Sequence, residues 1–364
     1  MGSMSVLRIN NKLELSPLNN SLKKSGFVRW RYIFNAQNNF TGEKTAFFIE
    51  LYLVNPSLSP DTVIWSDPHA IPTFKDESQL FMPEEALSPH SYVSIRVGQY
   101  GLTGNVIQNF LPASSLCLTK NFLDVADGAF RLEGDMLSGI MESEGKYVSW
   151  KLQIEKLCHF FPGKMQKDMY WGAPAIRSRF SGELHFCGEL YSVEPGISFG
   201  FVDKLWGKDY PYPFFHLSCS HISSIITGKP LVNGAFAVQG IYRDSFALFA
   251  EIDSIKLARA RVNNKPNFGC VVMENKVHWT VSVPFHHHLI DIDVFCPTEE
   301  MSVRSYICPT NPREEMQVLG GSTGTGELRL YRKIKKKRLE LIEHAILQDV
   351  RCEYGGREQA EFNS

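Results

Sequence analysis

The sequence has little net charge and lacks long apolar segments. Its 38 Lys and Arg residues nearly balance its 39 Asp and Glu residues, and the formal net charge is −1. This balance provides no general electrostatic attraction for nucleic acid or for an anionic membrane. No apolar run approaches the roughly 18 residues of a membrane-spanning helix, and the N-terminal segment lacks the apolar centre of a signal peptide. The sequence therefore predicts a soluble cytoplasmic protein that does not bind nucleic acid.

The eight cysteines form neither a C-x-x-C pair nor a tight cluster. A disulfide framework or a zinc site normally shows such spacing, so reduced and mostly buried thiols are predicted. Cys219 lies beside Ser218 and two residues before His221, which could suggest a Cys/His nucleophile. The segment offers no third residue to orient the histidine, and a buried structural thiol is the favoured interpretation.

Two further motifs could suggest a metal or a nucleotide, but each lacks the partners that such a site needs. The run His286–His288 has no Asp, Glu, Cys or His at a recognisable ligand spacing. The glycine run Gly320–Gly326 is followed by a strand pattern rather than by the Lys-Ser/Thr of a phosphate-binding loop. We interpret the histidines as a turn at a strand end and the glycines as a flexible loop that enters a strand. No metal and no cofactor is predicted.

Short segments with a two-residue alternation dominate the chain from residue 26 onward. RWRYIFNAQ places Trp30, Tyr32 and Phe34 on one face, and a turn signal, NNFTG, separates it from the next apolar run. The same pattern recurs in HSYVSIRV, GELHFCGELYSV, GAFAVQGIYR, VHWTVSVPF, LIDIDVF and GELRLYRKI, among others. Many short strands with few helical patterns predict an all-β protein built from antiparallel barrels or sandwiches.

The length of 364 residues favours two domains. Residues 159–182 are rich in Gly, Pro and charge, and we place the inter-domain linker there. The prediction is an N-terminal extension over 1–25, a first barrel over 26–181 and a second over 182–364. Residues 334–350 fit either an amphipathic helix or a strand. The basic segment 332–338 is interpreted as a solvated hairpin tip, with weak contact to anionic lipid headgroups as the alternative.

The stretch DKLWGKDYPYPFFHLSCSH, residues 203–221, holds the strongest chemical signal. Gly207, Pro211 and Pro213 would interrupt a buried strand, so a bend at the rim of a barrel is predicted. Aromatic rings at such a rim can form an apolar pocket wall whose π-faces stabilise positive charge. Desolvation beside this wall would raise the pKa of Asp203 and make it a general acid. The alternative is a surface acid paired with Lys204 or Lys208.

The same stretch resembles the tocopherol cyclase-like family, which is related more distantly to carotenoid 1,2-hydratases and to lipocalin-type Diels–Alderases. The clearest match is Trp206-Gly207-x-x-Tyr210-Pro211-x-x-Phe214-Phe215, preceded by the acidic-basic pair Asp203-Lys204. Weaker matches in the same order are Gly26–Tyr32, Leu51–Pro56 and Gly326–Leu330. His216 departs from the family pattern, because it replaces a Trp by a group that titrates near neutrality; tocopherol itself is therefore not the predicted product.

The resemblance implies two lipocalin-like antiparallel barrels packed together, with a ligand pocket at or near their junction. It also implies a cofactor-free cyclase, hydratase or isomerase that protonates an alkene of a hydrophobic prenyl or polyene substrate, followed by capture of the cation. In this hypothesis Asp203 donates the proton, and Lys204 or His216 tunes or receives it. The predicted cavity residues are Trp206, Tyr210, Phe214, Trp30, Tyr32 and Trp279.

Other interpretations of the same residues remain open. Trp30, Tyr32 and Trp279 could serve core packing alone. The cavity could belong to a carrier of lipophilic ligands that does no chemistry. A third possibility is a pericyclase, which folds a linear polyene by shape and incorporates no solvent proton.

Overall fold

The computed structural model describes residues 26–56, 91–101, 104–166, 169–209, 213–242, 244–334 and 338–356. Within these residues the chain consists almost entirely of antiparallel strands arranged in two barrel-like sheets, and the predicted all-β, lipocalin-like fold is confirmed. No helix in this part of the chain is long and apolar enough to cross a membrane. The predicted N-terminal extension, residues 1–25, lies outside the described residues.

The first sheet contains twelve strands. They are β1 (Phe27–Asn38), β2 (Lys44–Val54), β3 (Tyr92–Gln99), β4 (Val106–Pro112), β5 (Leu116–Leu118), β6 (Phe122–Val125), β7 (Phe130–Glu133), β8 (Met136–Ser143), β9 (Lys146–Gln166), β10 (Met169–Phe186), β11 (Glu189–Val193) and β12 (Gly200–Gly207). A 3-10 turn, Ala113–Ser115, joins β4 to β5. The sheet curls until β4 approaches β8, where Asn109 Nδ2 donates to the Glu142 carbonyl at 3.2 Å.

The second sheet contains eleven strands. They are β13 (Phe214–Cys219), β14 (His221–Ser224), β15 (Ala235–Ile241), β16 (Ser245–Ile252), β17 (Ile255–Asn263), β18 (Phe268–Val272), β19 (Lys276–Pro284), β20 (His288–Pro297), β21 (Ser302–Cys308), β22 (Asn311–Lys333) and β23 (Leu339–Gly356). A single helical turn, α1 (Asn264–Asn267), connects β17 to β18, and a 3-10 turn, Thr298–Glu300, connects β20 to β21.

The change from one sheet to the other lies later in the chain than the predicted division at residue 182. The expected linker, residues 159–182, instead forms parts of β9 and β10, which pair with each other as a long bulged hairpin. Glycine and proline are tolerated there because several register shifts interrupt the ladder. Strands β11 and β12 still pair with the first sheet, and the second sheet begins at Phe214.

Alternation along each strand builds three separate cores. In β1, Trp30 and Tyr32 belong to the core inside the first barrel, whereas Phe27 and Ile33 point the other way, into a layer shared with residues of the second barrel. The second barrel has its own interior core. The two barrels therefore pack face to face across the shared layer, which we call the junction.

The two ambiguous segments near the C-terminus are both strands. Residues 339–350 form the first part of β23, so the helical alternative for this segment is wrong. The predicted glycine loop lies inside β22, where the glycines make space for thiols. A Cβ on Gly321 would lie 2.7 Å from Cys296 Sγ, and one on Gly324 would lie 2.7 Å from Cys352 Sγ.

Two turn predictions agree with the strand order. His286 and His287 lie in the turn between β19 and β20, as expected for a strand end. Strands β22 and β23 pair as far as Lys333 opposite Leu339, at the two ends of the basic segment, and residues 335–337 lie outside the described residues.

Candidate functional site

Asp203 lies at the junction, fully enclosed by basic and aromatic partners. It is 1% exposed. Arg31 binds it with two hydrogen bonds, Nε to Oδ1 at 2.9 Å and Nη2 to Oδ2 at 2.8 Å. Arg29 Nη2 is 3.5 Å from Oδ2, and Trp171 Nε1 donates to the same oxygen at 3.2 Å. This bidentate arrangement is typical of a strong charge-assisted pair.

The predicted direction of the Asp203 pKa shift is wrong. Burial alone would raise this pKa, but the positive charges of Arg31 and Arg29 and the Arg31 hydrogen bond outweigh burial and hold the pKa below its usual range. Asp203 is therefore ionised in the folded protein and has no proton to donate. The local sequence around Asp203 indicated an aromatic wall, but it contains neither of the two arginines that strand pairing brings from β1.

Further charged side chains extend this network through the junction. Glu353 is paired with both Arg31 and Arg304, and its pKa is held well below the usual range because these pairings outweigh burial. Glu50 accepts a hydrogen bond from Tyr306 at 2.7 Å. All of these side chains are buried. A buried network of this kind is costly to disrupt, because removal of one partner leaves another charge uncompensated.

His216 also faces the junction, but as a neutral side chain. Its Nδ1 is 2.9 Å from Gln239 Oε1, and its Nε2 is 2.9 Å from Ser218 Oγ. Burial, together with the positive charge of Arg31, lowers the pKa of His216 to about 3. Both ring nitrogens are occupied by protein partners, so this imidazole is fixed in place and does not exchange protons near neutral pH.

Lys204 points away from Asp203, because successive residues of a strand face opposite sides. Its Nζ lies inside the first barrel, 5.0 Å from the ring centroid of Trp30 and 5.3 Å from that of Trp206. These distances are typical of cation–π contacts. The Lys204 ammonium therefore lies on the opposite face of β12 from the Asp203 carboxylate, although the two residues are consecutive in the sequence.

The predicted cavity residues are divided among the three cores rather than gathered in one cavity. Trp30, Tyr32 and Trp206 belong to the first barrel, and Trp279 belongs to the interior of the second. Phe214 lies in the junction layer. Tyr210 lies outside the described residues. The expectation that Trp30 and Trp279 line the same cavity with Trp206 is therefore wrong, because each barrel is filled by its own side chains.

A cleft with a volume of about 280 Å³ opens to solvent at one edge of the junction. Both barrels contribute to it, from β9, β10 and the β11–β12 connection on one side and from the region of β14 on the other. The residues that line it are Leu157, Arg177, Ser178, Arg179, Pro195, Gly196, Phe199, Ser220, His221, Ile222, Pro230, Leu231 and Val232. Its wall combines apolar residues with arginines, serines and a histidine, and a concave site of this kind can hold a small molecule.

A histidine–aspartate pair stands at this cleft. His221 Nδ1 is 2.6 Å from Asp349 Oδ2, and Lys44 Nζ from the first barrel is 2.7 Å from the same oxygen. The imidazole stacks on Phe199, with ring centroids 3.8 Å apart and an interplanar angle of 7°. Burial would raise the Asp349 pKa, but the hydrogen bonds from His221 and Lys44 lower it. Asp349 is therefore an ionised acceptor.

The geometry of this pair sets the tautomer of the imidazole. An ionised carboxylate can only accept, so His221 Nδ1 carries the hydrogen and donates to Asp349. The bond to Asp349 therefore uses Nδ1 and not Nε2. This is the orientation by which a carboxylate prepares a histidine for general acid–base catalysis.

The backbone is strained at two residues of the site. Phe199 has a φ of 38° and Asp349 a φ of 52°, and positive φ is uncommon for residues with side chains, especially bulky ones. Asp349 lies at a bulge, because β23 has one more residue than β22 between the pairs Gly324↔Val350 and Gly326↔Leu347. Strained residues that persist in a fold are concentrated at functional sites.

The sequence pattern drew attention to His221 beside Cys219, but it did not indicate that Asp349 is the partner of this histidine. Asp349 lies 128 residues later, and it reaches His221 only because β14 pairs with β23, with His221 opposite Gln348. Cys219 takes no part, since its Sγ donates to the backbone carbonyls of His221 and Gln348, and burial raises its pKa to about 12. The interpretation of Cys219 as a buried structural thiol is confirmed.

Neither serine of the cleft is an activated nucleophile. Ser178 Oγ and Ser220 Oγ have no hydrogen-bond partner among the described residues, so neither is bonded to His221. A serine nucleophile requires such a bond to its base. In the part of the chain that the structure describes, no group of three or more His, Cys, Asp and Glu side chains could hold a metal ion.

Comparison with known proteins finds only distant structural similarity. No protein-family model and no curated protein matches the chain. A solved structure of a candidate AttH protein from Nitrosomonas europaea is similar with a TM-score of 0.42 and 10% identity, over 88% of this chain and 92% of that one. Kievitone hydratase from Nectria haematococca is similar with a TM-score of 0.40 and 10% identity, over 92% and 93% of the two chains. These values are too low to transfer an activity, and the resemblance to tocopherol cyclases stays a prediction.

Proposed function

We propose that this protein is a cofactor-independent enzyme that isomerises, hydrates or cyclises a hydrophobic polyene or prenyl substrate by proton transfer. The observation that supports this proposal is the His221–Asp349 pair at the wall of a cleft between the barrels that combines apolar and polar side chains. Asp203 is not the proton donor in this proposal, because its pairing with two arginines keeps it ionised.

The proposed reaction uses one proton in a cycle. Protonated His221 gives the proton on Nε2 to one carbon of a double bond, and the adjacent carbon becomes cationic. Water or a hydroxyl of the substrate adds to that cation, or a neighbouring C–H loses its proton, and Nε2 recovers one proton. An imidazolium is a weaker acid than a carboxylic acid. The double bond must therefore be electron-rich or conjugated, which favours a polyene or a dienol over an isolated prenyl group.

Incubation with a panel of polyenes and prenylated phenols in deuterated water, read by mass spectrometry, tests this function. We expect the wild type to form an isomer or hydrate that carries deuterium, and His221→Gln to lose about a hundredfold or more of the rate. The matched control is His278→Gln. His278 also pairs with an aspartate, Asp293 at 3.0 Å, and stacks on a phenylalanine, but this pair lies on β19 and β20, away from the cleft.

Other outcomes assign the protein to another class. Equal rates for the wild type and His221→Gln would contradict the proposal. An isomer without deuterium would identify a pericyclase, which needs the shape of the cleft and no proton donor. Ligands that bind and are recovered unchanged across the panel would identify a carrier.

A further inference from the structure

Arg351 brings a positive charge into the junction without a carboxylate of its own. The residue is 1% exposed, and its Nη2 donates to the Phe199 carbonyl. No carboxylate among the described residues forms an ion pair with this guanidinium. Asp349, two residues earlier, is engaged by His221 and Lys44. Burial lowers the pKa of Arg351, as expected for a desolvated charge that its surroundings do not compensate.

The other buried charges of the junction do not supply the missing negative charge. Glu353 lies two residues after Arg351 on β23, so both side chains leave the same face of this strand. The Glu353 carboxylate is already paired with Arg31 and Arg304. Arg29, which lies beside Asp203, does not reduce the excess of positive charge. Four other buried arginines face three carboxylates: Arg31, Arg96, Arg304 and Arg351 against Asp203, Glu50 and Glu353.

Three buried donors in this group have no hydrogen-bond acceptor among the described residues. They are Arg351 Nε, Arg304 Nε and the Tyr100 hydroxyl. Arg304 Cζ is 5.4 Å from the centre of the Tyr100 ring, and the charges of Arg31, Arg304 and Arg351 all interact with the Tyr100 phenol. Burial raises the pKa of Tyr100 to about 12, so the phenol keeps its hydrogen at neutral pH. Unpartnered buried donors are destabilising and indicate a bound ion or water.

An anion meets both needs of this group, because it accepts hydrogen bonds and supplies negative charge, whereas a water molecule supplies no charge. The surroundings favour a small and weakly hydrated anion. Arg304 Cζ lies 4.9 Å from the ring centroid of Phe48, and Arg31 Cζ lies 5.8 Å from that of Phe201, so aromatic rings enclose the charges. We infer that the junction binds a monovalent anion of the halide class, such as chloride, which accepts hydrogen bonds from the Tyr100 hydroxyl and Arg351 Nε.

The bound anion joins the two barrels. Tyr100 directly follows β3 of the first sheet, and Arg351 belongs to β23 of the second. Arg351 also binds the carbonyl of Phe199, whose ring stacks on His221. Loss of the anion therefore weakens both the docking of the barrels and the support of the candidate site. This inference goes beyond the proposed function and does not rest on it.

Urea unfolding at constant ionic strength tests the inference, with sodium gluconate replaced stepwise by sodium chloride. Gluconate is too large for a site that holds a halide. We expect the unfolding midpoint of the wild type to rise saturably with chloride, because a ligand of the folded state stabilises it. Arg351→Gln and Tyr100→Phe should each lower the apparent chloride affinity about tenfold or more, because a hydrogen bond to a charged group is lost. Arg131→Gln is the charge-matched control and should respond as the wild type does, since Arg131 is 45% exposed and pairs with Glu133.

Crystals soaked in sodium bromide give a second readout that needs no variant. Diffraction at the bromine absorption edge should show a peak in contact with the Tyr100 hydroxyl and Arg351 Nε. Bromide at the surface only, a midpoint that does not depend on chloride, or equal chloride responses of the wild type and Arg351→Gln would overturn the inference. Circular dichroism verifies the fold of each variant, and Tyr100→Phe and the bromide experiment decide the question if Arg351→Gln does not fold. None of these measurements involves turnover, so the inference and the proposed function can fail separately.

Discussion

Asp203 and Asp349 are two ionised carboxylates at the same junction, but their surroundings differ. Asp203 is enclosed by two arginines and Trp171 and has no access to solvent. Asp349 is bound by Lys44 and by a histidine that faces the cleft. A carboxylate saturated by permanent cations can only hold the structure together, whereas one that binds an imidazole can support proton transfer. Partners, rather than burial alone, therefore distinguish the enclosed carboxylate of Asp203 from that of Asp349, the proposed partner of a catalytic histidine.

The largest effect is expected when Asp203 is neutralised. Asp203→Asn should lower the free energy of unfolding by about 3–5 kcal/mol, because two buried arginines lose their counter-charge. Urea unfolding of this variant and of Asp349→Asn measures the difference. The loss for Asp349→Asn should be clearly smaller, since its side chain is 20% exposed and its partners reach solvent. Equal losses of unfolding free energy in the two variants would contradict the distinction between the two carboxylates.

The same two variants should reverse their order when turnover is measured. Asp349→Asn should lower kcat about a hundredfold or more, because the asparagine no longer fixes His221 in the catalytic tautomer. Asp203→Asn, assayed at a temperature where it is folded, should retain most of the rate. Loss of turnover in Asp203→Asn with an intact fold would return that residue to the catalytic role that the sequence suggested.

A smaller effect concerns the stability of the junction in acid. Folded His216 has a pKa of about 3 because of burial and Arg31, while the unfolded chain has the ordinary value of about 6.5. Between these values the unfolded state binds more protons, so stability falls as the pH falls, by roughly 1 kcal/mol per pH unit. His216→Gln should show a shallower loss between pH 6.5 and about pH 4.5 in urea unfolding. An unchanged slope would contradict the assignment of a neutral His216.

The smallest effect is expected for Lys44, which links the first barrel to Asp349. Its side chain is 36% exposed, so solvent screens the pair and Lys44→Gln should cost less than about 1 kcal/mol. The difference from the wild type should shrink further at high salt, as it does for exposed ion pairs. Urea midpoints at low and high salt check this, and a large salt-independent loss would show that Lys44 holds the barrels together.

The alternation of side chains predicted the fold class well. RWRYIFNAQ forms β1, with Trp30 and Tyr32 on the inward face as the two-residue period requires. The sequence did not predict that the glycine run lies inside a strand. The thiols of Cys296 and Cys352, which occupy the space beside Gly321 and Gly324, come from other strands. The boundary between the barrels was placed too early, since Gly and Pro in 159–182 mark bulges within a hairpin rather than a linker.

The sequence by itself determined that this chain forms antiparallel barrels, because strand period and turn residues are local properties. It also placed Asp203 and His216 in one region of interest, and both lie at the junction. Only the tertiary structure decided what those groups can do. The pKa of an acid depends on charges within a few ångströms, and these came from strands far away in the sequence: Arg31 for Asp203, and Asp349 for His221.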